Sequence, residues 1–427
     1  MKFNNLKKNL LLATLLFSVM GGVFAQSDAS SPYSRFGLGV VKQNNVSTVQ
    51  QGMGGIGNAL FGGSMLNTAN PAAYAAIDSL SFLFDAGFYI KNVTYHTNDM
   101  SEQGSNASFD HANLGFFLTK WWKTGFGITP YSTKEYESTI TGNDPVSYAE
   151  KFIGEGGINK IYWANGFNIA NKLYLGINSS YLFGTIADET TIYFPDSVYM
   201  THGRRTTSTS VNNFKFDLGA IYTIKLKSNS TLSIGATYSL PMNFNSKRNV
   251  YVRSIKSYST ANETSIDTLV YRMGEKVAIK YPQGFGVGLT YKKGDRILIG
   301  VDFNWDNWKN FSFAGSNDSL QNSWNIAIGG SYKPKATSVS NYLKRMTYRA
   351  GLHYDQTYLR IYDKSINRFG VTLGLGLPMP KSLSSFNLAL EIGRMGTTEN
   401  GLIKETYFNI SMGISLHEVW FVKRKYR

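Results

Sequence analysis

Apolar and polar residues alternate along most of this chain with a period of two, the pattern of extended strands that show one face to an apolar medium. In the first such stretch Leu80, Phe82, Phe84, Ala86, Phe88 and Ile90 share one face, and Ser81, Asp85, Gly87, Tyr89 and Lys91 the other. The same split recurs over 112–118, 126–132, 158–169, 173–183, 214–224, 232–240, 285–291, 297–305, 324–332, 346–354, 369–377, 386–392 and 407–416, which predicts fourteen strands. The connections alternate in length. Short ones fall at 119–124, 170–172, 225–230, 292–296 and 378–384, with 334–344 a longer member of that set. Long ones fall at 95–111, 133–157, 184–213, 242–284, 306–323, 355–368 and 394–406.

An even strand count, with short turns at one end and long loops at the other, predicts an all-β fold: a 14-stranded antiparallel transmembrane β-barrel of the bacterial outer membrane. A soluble sandwich also alternates, but it has no need of this regular asymmetry of loops. Closure, in contrast, satisfies every backbone group in lipid. The apolar faces then meet lipid, and Gly, Ser, Asn, Thr and Asp face the lumen. Trp121, Trp122, Trp163, Trp305, Trp308, Trp324 and Trp420 lie near strand ends, where interfacial girdles form. The last strand alternates Phe408, Ile410, Met412, Ile414 and Leu416 with Tyr407, Asn409, Ser411 and Ser415, and a basic tail, KRKYR, follows it.

The chain opens with Lys2, Lys7 and Lys8, then an apolar run, then Val23 and Ala25 before Gln26. That is the pattern of a cleaved secretory leader over 1–25. No cysteine follows it, so it is not a lipoprotein leader, and no disulfide can brace the exported chain. No later apolar run approaches the ~18 residues of a spanning helix. The net charge of +15 falls to +12 without the three leader lysines. In an exported protein that surplus points to anionic lipid and lipopolysaccharide rather than to nucleic acid.

Residues 26–78 precede the first strand and lack its pattern. They read QGMGGIGNALFGGSMLNTANPAAYA over 51–75, rich in Gly, Ala and Asn. A barrel of fourteen strands is too wide for its inward side chains to fill, so this segment is expected to plug the lumen, leaving 79–427 as the barrel. Here the sequence resembles the FadL family of outer-membrane transporters for long-chain fatty acids and other hydrophobic compounds. The resemblance rests on a glycine-rich N-terminal hatch that leads to an Asn-Pro-Ala motif, with Gly52, Gly54, Asn70, Pro71 and Ala72 as the matching residues. Looser matches are YPQGFGVGLTY, GVDFNWDNW, YRAGLHY and FGVTLGLGLP. The resemblance implies passive uptake of hydrophobic small molecules, a hatch that shifts, and a lateral exit at the third strand. Pro130 interrupts that strand, GFGITPYS, and cannot donate a ladder bond. The same hatch also occurs in barrels that are non-transporting subunits of assembly or secretion complexes, which implies other outer-membrane proteins as partners.

Other motifs carry less. Gly52, Gly54 and Gly57 match the dinucleotide fingerprint, but polar residues precede them where a buried strand is required. Asp302, Asn304 and Asp306 begin like a calcium loop, which then fails at Asn307 and Phe313. They read more simply as lumen-facing positions of one strand. His353 and Asp355 share the lumen face, a pair able to orient a base, yet no nucleophile is recognisable, and a polar network is the simpler reading. His96, His111, His202 and His417 are scattered, and the run from His202 to Arg205 reads as a solvated loop. No catalytic residue, metal ligand or cofactor is expected, and the protein is not expected to be an enzyme.

Overall fold

The computed structural model describes residues 31–42, 46–143, 146–170, 172–196, 199–227, 229–256, 264–313, 320–335, 341–380 and 382–419. The leader, Trp420 and the basic tail lie outside the described residues. Fourteen antiparallel strands close into a barrel. They are β1 (Ser81–His96), β2 (Ser101–Phe117), β3 (Trp122–Thr133, continued by Tyr136–Gly142) and β4 (Tyr148–Ala170). Next come β5 (Leu173–Tyr193), β6 (His202–Leu226), β7 (Ser230–Ser239, continued by Met242–Ile255) and β8 (Ser265–Tyr281, continued by Gly284–Lys293). The circuit ends with β9 (Ile297–Asp306, continued by Ser312–Phe313), β10 (Ser323–Tyr332), β11 (Thr347–Ile361), β12 (Lys364–Pro378), β13 (Ser385–Met395) and β14 (Lys404–Val419). β14 pairs with β1 from Lys404↔His96 to Val419↔Ser81, which closes the circuit.

Alternation sorts the side chains as the sequence requires. Phe126, Ile161, Trp163, Leu218, Val287, Ile328, Val371 and Phe408 point outward and are exposed, forming the lipid-facing belt. On that face Trp163 stacks on Phe126, ring centroids 6.0 Å apart. Asp85, Asn113, Asn178, Thr290, Asp302, Asn325 and His353 point inward and are buried.

Two expectations are corrected. The connections assigned to 133–157, 184–213 and 242–284 are largely strand. β6 runs for 25 residues, whereas about 9–11 suffice to cross a bilayer. Above the membrane both faces of a strand meet water, so the Thr- and Ser-rich run 206–210 keeps its backbone ladder while losing the apolar alternation. The walls are therefore tall over β4–β8 and low over β10, which has 10 residues. Trp308 is not part of a girdle either. It is buried in the lumen against Tyr358 and Tyr281, with ring centroids 4.4 and 5.4 Å away.

Candidate functional site

The lumen is filled by the N-terminal segment. A turn of 3-10 helix, Pro32–Arg35, leads to a two-residue strand, Val40–Val41, and a one-turn α-helix, Thr48–Gln51. Ser47 and Gln50 form a reciprocal capping box at that helix. Gln50, fully buried, also donates from Nε2 to Asn67 Oδ1 at 2.8 Å. Asn67 in turn donates to the carbonyls of Gly57 and Leu60, so one amide pair folds the glycine-rich run on itself. Burial and the Glu405 carboxylate push the Tyr33 phenol up to about 12.

The Asn-Pro-Ala motif now has a physical account. Asn70 caps the 3-10 helix Pro71–Ala76, its Oδ1 accepting from Ala72 N at 3.0 Å. Pro71 occupies the first helical position, where a missing N–H costs nothing. The Asn70 Nδ2 donates to Asn58 O at 2.6 Å and to the wall carbonyls of Ala220 and Ala236 at 3.3 Å. The backbone of Pro71 and Ala72 lies on Gly176 of β5, where a β-carbon would collide with it. Tyr74 ends the motif with its hydroxyl 3.0 Å from that of Tyr162 on β4.

Gly176 belongs to a ring. A β-carbon built on Gly329 of β10 or Gly351 of β11 would fall on the backbone of Met53. One on Gly235 of β7 would fall on Asn58, and one on Gly166 of β4 on Tyr74 and Ala75. Gly52 and Gly54, the two glycines of the hatch motif, sit against Gly374 and the carbonyls of Leu352 and Ile328. Segment and wall thus meet backbone to backbone around most of the circumference. Asp302 locks this seat, its Oδ2 accepting from Gly57 N at 2.6 Å and Asn58 N at 2.7 Å. Asp302→Ala strands two buried donors, each worth about 1.5–3 kcal/mol when bonded to a charged acceptor. The variant is expected to expose the N-terminal segment to protease at a lower temperature, measured by limited proteolysis of the detergent-solubilised barrel.

Pro130 lies where the wall changes partner. β2 and β3 pair only from Phe117↔Lys123 to Ala112↔Ile128. Beyond that, the same edge of β3 pairs with the N-terminal segment, Val41↔Ser132 and Val40↔Thr133. On its other edge β3 keeps to β4, with a register shift between Pro130 and Ser132. The gap between β2 and β3 is crossed by side chains. Thr129 Oγ1 donates to Asp110 O at 3.1 Å, and Lys42 pairs with the Asp110 carboxylate.

Cavities of about 290 and 160 Å3 lie beside the N-terminal segment, both lined by Val41, Lys42 and Tyr131. The larger combines apolar lining with an ionic network. His353 Nδ1 lies 2.9 Å from Asp355, its Nε2 3.0 Å from Glu391, and Arg368 closes on Asp355 at 2.7 Å. Both ring nitrogens are committed to carboxylates, so neither is left to activate a nucleophile. His111 repeats the arrangement, 2.8 Å from Asp110 and 2.7 Å from Asp85. The i, i+2 spacing of His353 and Asp355 is legible in the sequence; Glu391 and the His111 set come from strands whose register the sequence does not print. The smaller cavity holds Lys160, Lys215, Asp217 and Asp306. Asp302, Asn304 and Asp306 all lie along β9, and Asn304 bonds Asn325 at 2.9 Å, with no calcium-loop geometry. His202–Arg205 opens β6 instead of a loop, and Arg204 pairs with Glu189 at 3.3 Å.

A closed outer-membrane barrel of fourteen strands whose N-terminal segment occupies the lumen has the FadL-like fold. A Pseudomonas aeruginosa FadL homologue shares it with a TM-score of 0.59 and 15% identity, over 89% of this chain and 99% of that one. The Ralstonia pickettii toluene transporter TbuX aligns with a TM-score of 0.56 and 15% identity, over 87% of this chain and 97% of that one. The Pseudomonas putida toluene transporter TodX gives 0.55 and 16%, over 90% and 100%. No curated protein matches the sequence. Residues 6–427 match the BamG family, and the chain belongs to it.

Proposed function

We propose that this protein is a non-transporting, non-enzymatic barrel subunit of an outer-membrane protein assembly complex. The observation that carries this reading is the seat of the N-terminal segment: wall glycines hold its backbone too closely for it to slide. In the larger cavity beside it an apolar cargo would have to pass the charged side chains Lys42, Arg368 and Glu391. A second reading, uptake of hydrophobic compounds, draws on the likeness to the toluene transporters and on the break between β2 and β3. Long-chain fatty acids are the finer form of that reading.

Purification of a tagged chain from native outer membranes separates the two. The subunit reading expects a stoichiometric set of other outer-membrane proteins on the resolving gel. Recovery of the barrel alone, with bound apolar lipid detected by mass spectrometry, overturns it in favour of uptake.

A further inference from the structure

The positive charge of this protein is concentrated at one end. Lys120, Lys172, Lys227, Arg296, Lys335 and Lys344 are all exposed and lie in five of the short connections. Among the described residues, the carboxylates at that end are Asp78, Asp295 and Glu418. Short connections face the periplasm in barrels of this kind. The long-loop end is mixed by contrast, with ion pairs such as Lys151–Glu137, Arg248–Glu275 and Lys364–Glu399.

Cations on the outer rim can reach lipid phosphates, but a second set cannot. Lys292 is the penultimate residue of β8, Arg349 sits in β11, and Lys333 follows β10; all three occupy lumen-facing positions of the alternation, inside the wall. Arg349 lies along Gly374 and Gly376 of β12 and touches Gly52 beneath the N-terminal segment. Its Nη1 is shut off from solvent and meets no acceptor. Lys292 has Asp295 at 3.2 Å, an exposed partner at a turn. Burial pushes the Lys333 ammonium down, Asp295 partly offsets this, and the Arg349 and Lys292 charges push it further down. The three cations share Asp295 at the turn and Asp85 in the lumen, and the Arg349 Nη1 is left without an acceptor of its own, a cost that an arriving anion would relieve.

We propose that the periplasmic mouth of the barrel is a docking surface for an acidic segment of a periplasmic protein, whose Asp or Glu carboxylates meet Arg349, Lys333 and Lys292. The outer cations steer that segment toward the mouth, and the inner three hold it against the underside of the N-terminal segment. The inference rests on the subunit reading above and names the chemistry of one partner. It gives the glycines at 374 and 376 a second purpose, because a side chain at either would displace the guanidinium from the mouth.

The test uses the full barrel in nanodiscs of zwitterionic phosphatidylcholine and a fluorescein-labelled hexaglutamate peptide, followed by anisotropy. Binding is expected at low salt and is expected to fall steeply as ionic strength rises. Lys333→Gln with Arg349→Gln should weaken it by about tenfold, since both are close charge partners of the peptide. Lys309→Gln with Arg360→Gln, at the opposite end, should leave it unchanged. Heat-modifiable gel migration verifies that each variant is folded, and Arg349→Lys should recover part of the affinity. Equal affinity in the inner double variant overturns the proposal. So does binding that appears only when phosphatidylglycerol is added to the discs, which would assign the cations to lipid. An unchanged set of co-purified proteins with the inner double variant would refute this docking while leaving the subunit reading intact. Recovery of the unaltered chain alone would refute the subunit reading itself.

Discussion

Gly351→Leu should unseat the N-terminal segment while leaving the barrel wall assembled. The site offers a side chain no exit: a β-carbon there meets Gly54 N and the Met53 carbonyl carbon, both main chain. Flexible neighbours can yield, but two backbones in contact can separate only by moving one element. The first inserted carbon costs about 1–3 kcal/mol where nothing relaxes, and an isobutyl group adds more. The wall is fixed by ladders on both sides, Gly351↔Gly329 and Gly351↔Thr372, so the N-terminal segment is the part that moves. Loss of Gly54 N→Thr372 Oγ1, 2.8 Å here, should follow. Protease cleavage near residues 52–58 with retained heat-modifiable migration is the expected result. A variant as resistant as the parent would mean that this contact does not hold the segment in the lumen.

The larger effect is expected from deleting residues 31–77. The segment fills a lumen that fourteen strands cannot close with their own side chains. Removing it leaves Gly176 and Gly329 without the backbone packed on them, and Gly219 and Gly413 without the Asn70, Pro71 and Thr48 side chains. An inserted barrel that admits small polar antibiotics is the expected result, measured as increased sensitivity or as ion conductance in planar bilayers. One other element crosses the lumen. The hydroxyls of Tyr131 on β3 and Tyr281 on β8 bond to each other, and Trp308 and Tyr358 stack beside them. That collar leans on the deleted part, since Tyr358 donates to Gly39 O at 2.7 Å. Unchanged permeability in an inserted barrel would make the aromatic collar the seal, and the N-terminal segment a brace beneath it.

Where lipid meets the wall, sequence and structure agree closely. A residue such as Val371 or Phe285 is apolar because it faces hydrocarbon, and its neighbours are polar because they do not. That physical contrast ends at the membrane surface, which is why the upper halves of β6, β7 and β8 read as loops. The broken strands are partly legible: Pro241 and Pro282 fall at the interruptions of β7 and β8, where no ladder donor is available. The Asn-Pro-Ala stretch stands out as a motif, but its partners do not. Asn70 reaches carbonyls 150 and 166 residues away, a distance that only strand register can bridge. The glycines of the ring are legible in the sequence only as lumen-facing positions of separate strands. Their common height around the barrel is a property of the closed wall, absent from any single strand.

Thr48 lies across the seam of the barrel, its side chain against both Gly87 of β1 and Gly413 of β14. The first and last strands therefore close over a residue that the chain placed before either of them. Closing the seam and seating the N-terminal segment therefore share residues: in the full chain, β14 meets β1 across Thr48. The pairing of the first and last strands spans the whole barrel sequence, the slowest kind of contact for a chain to make.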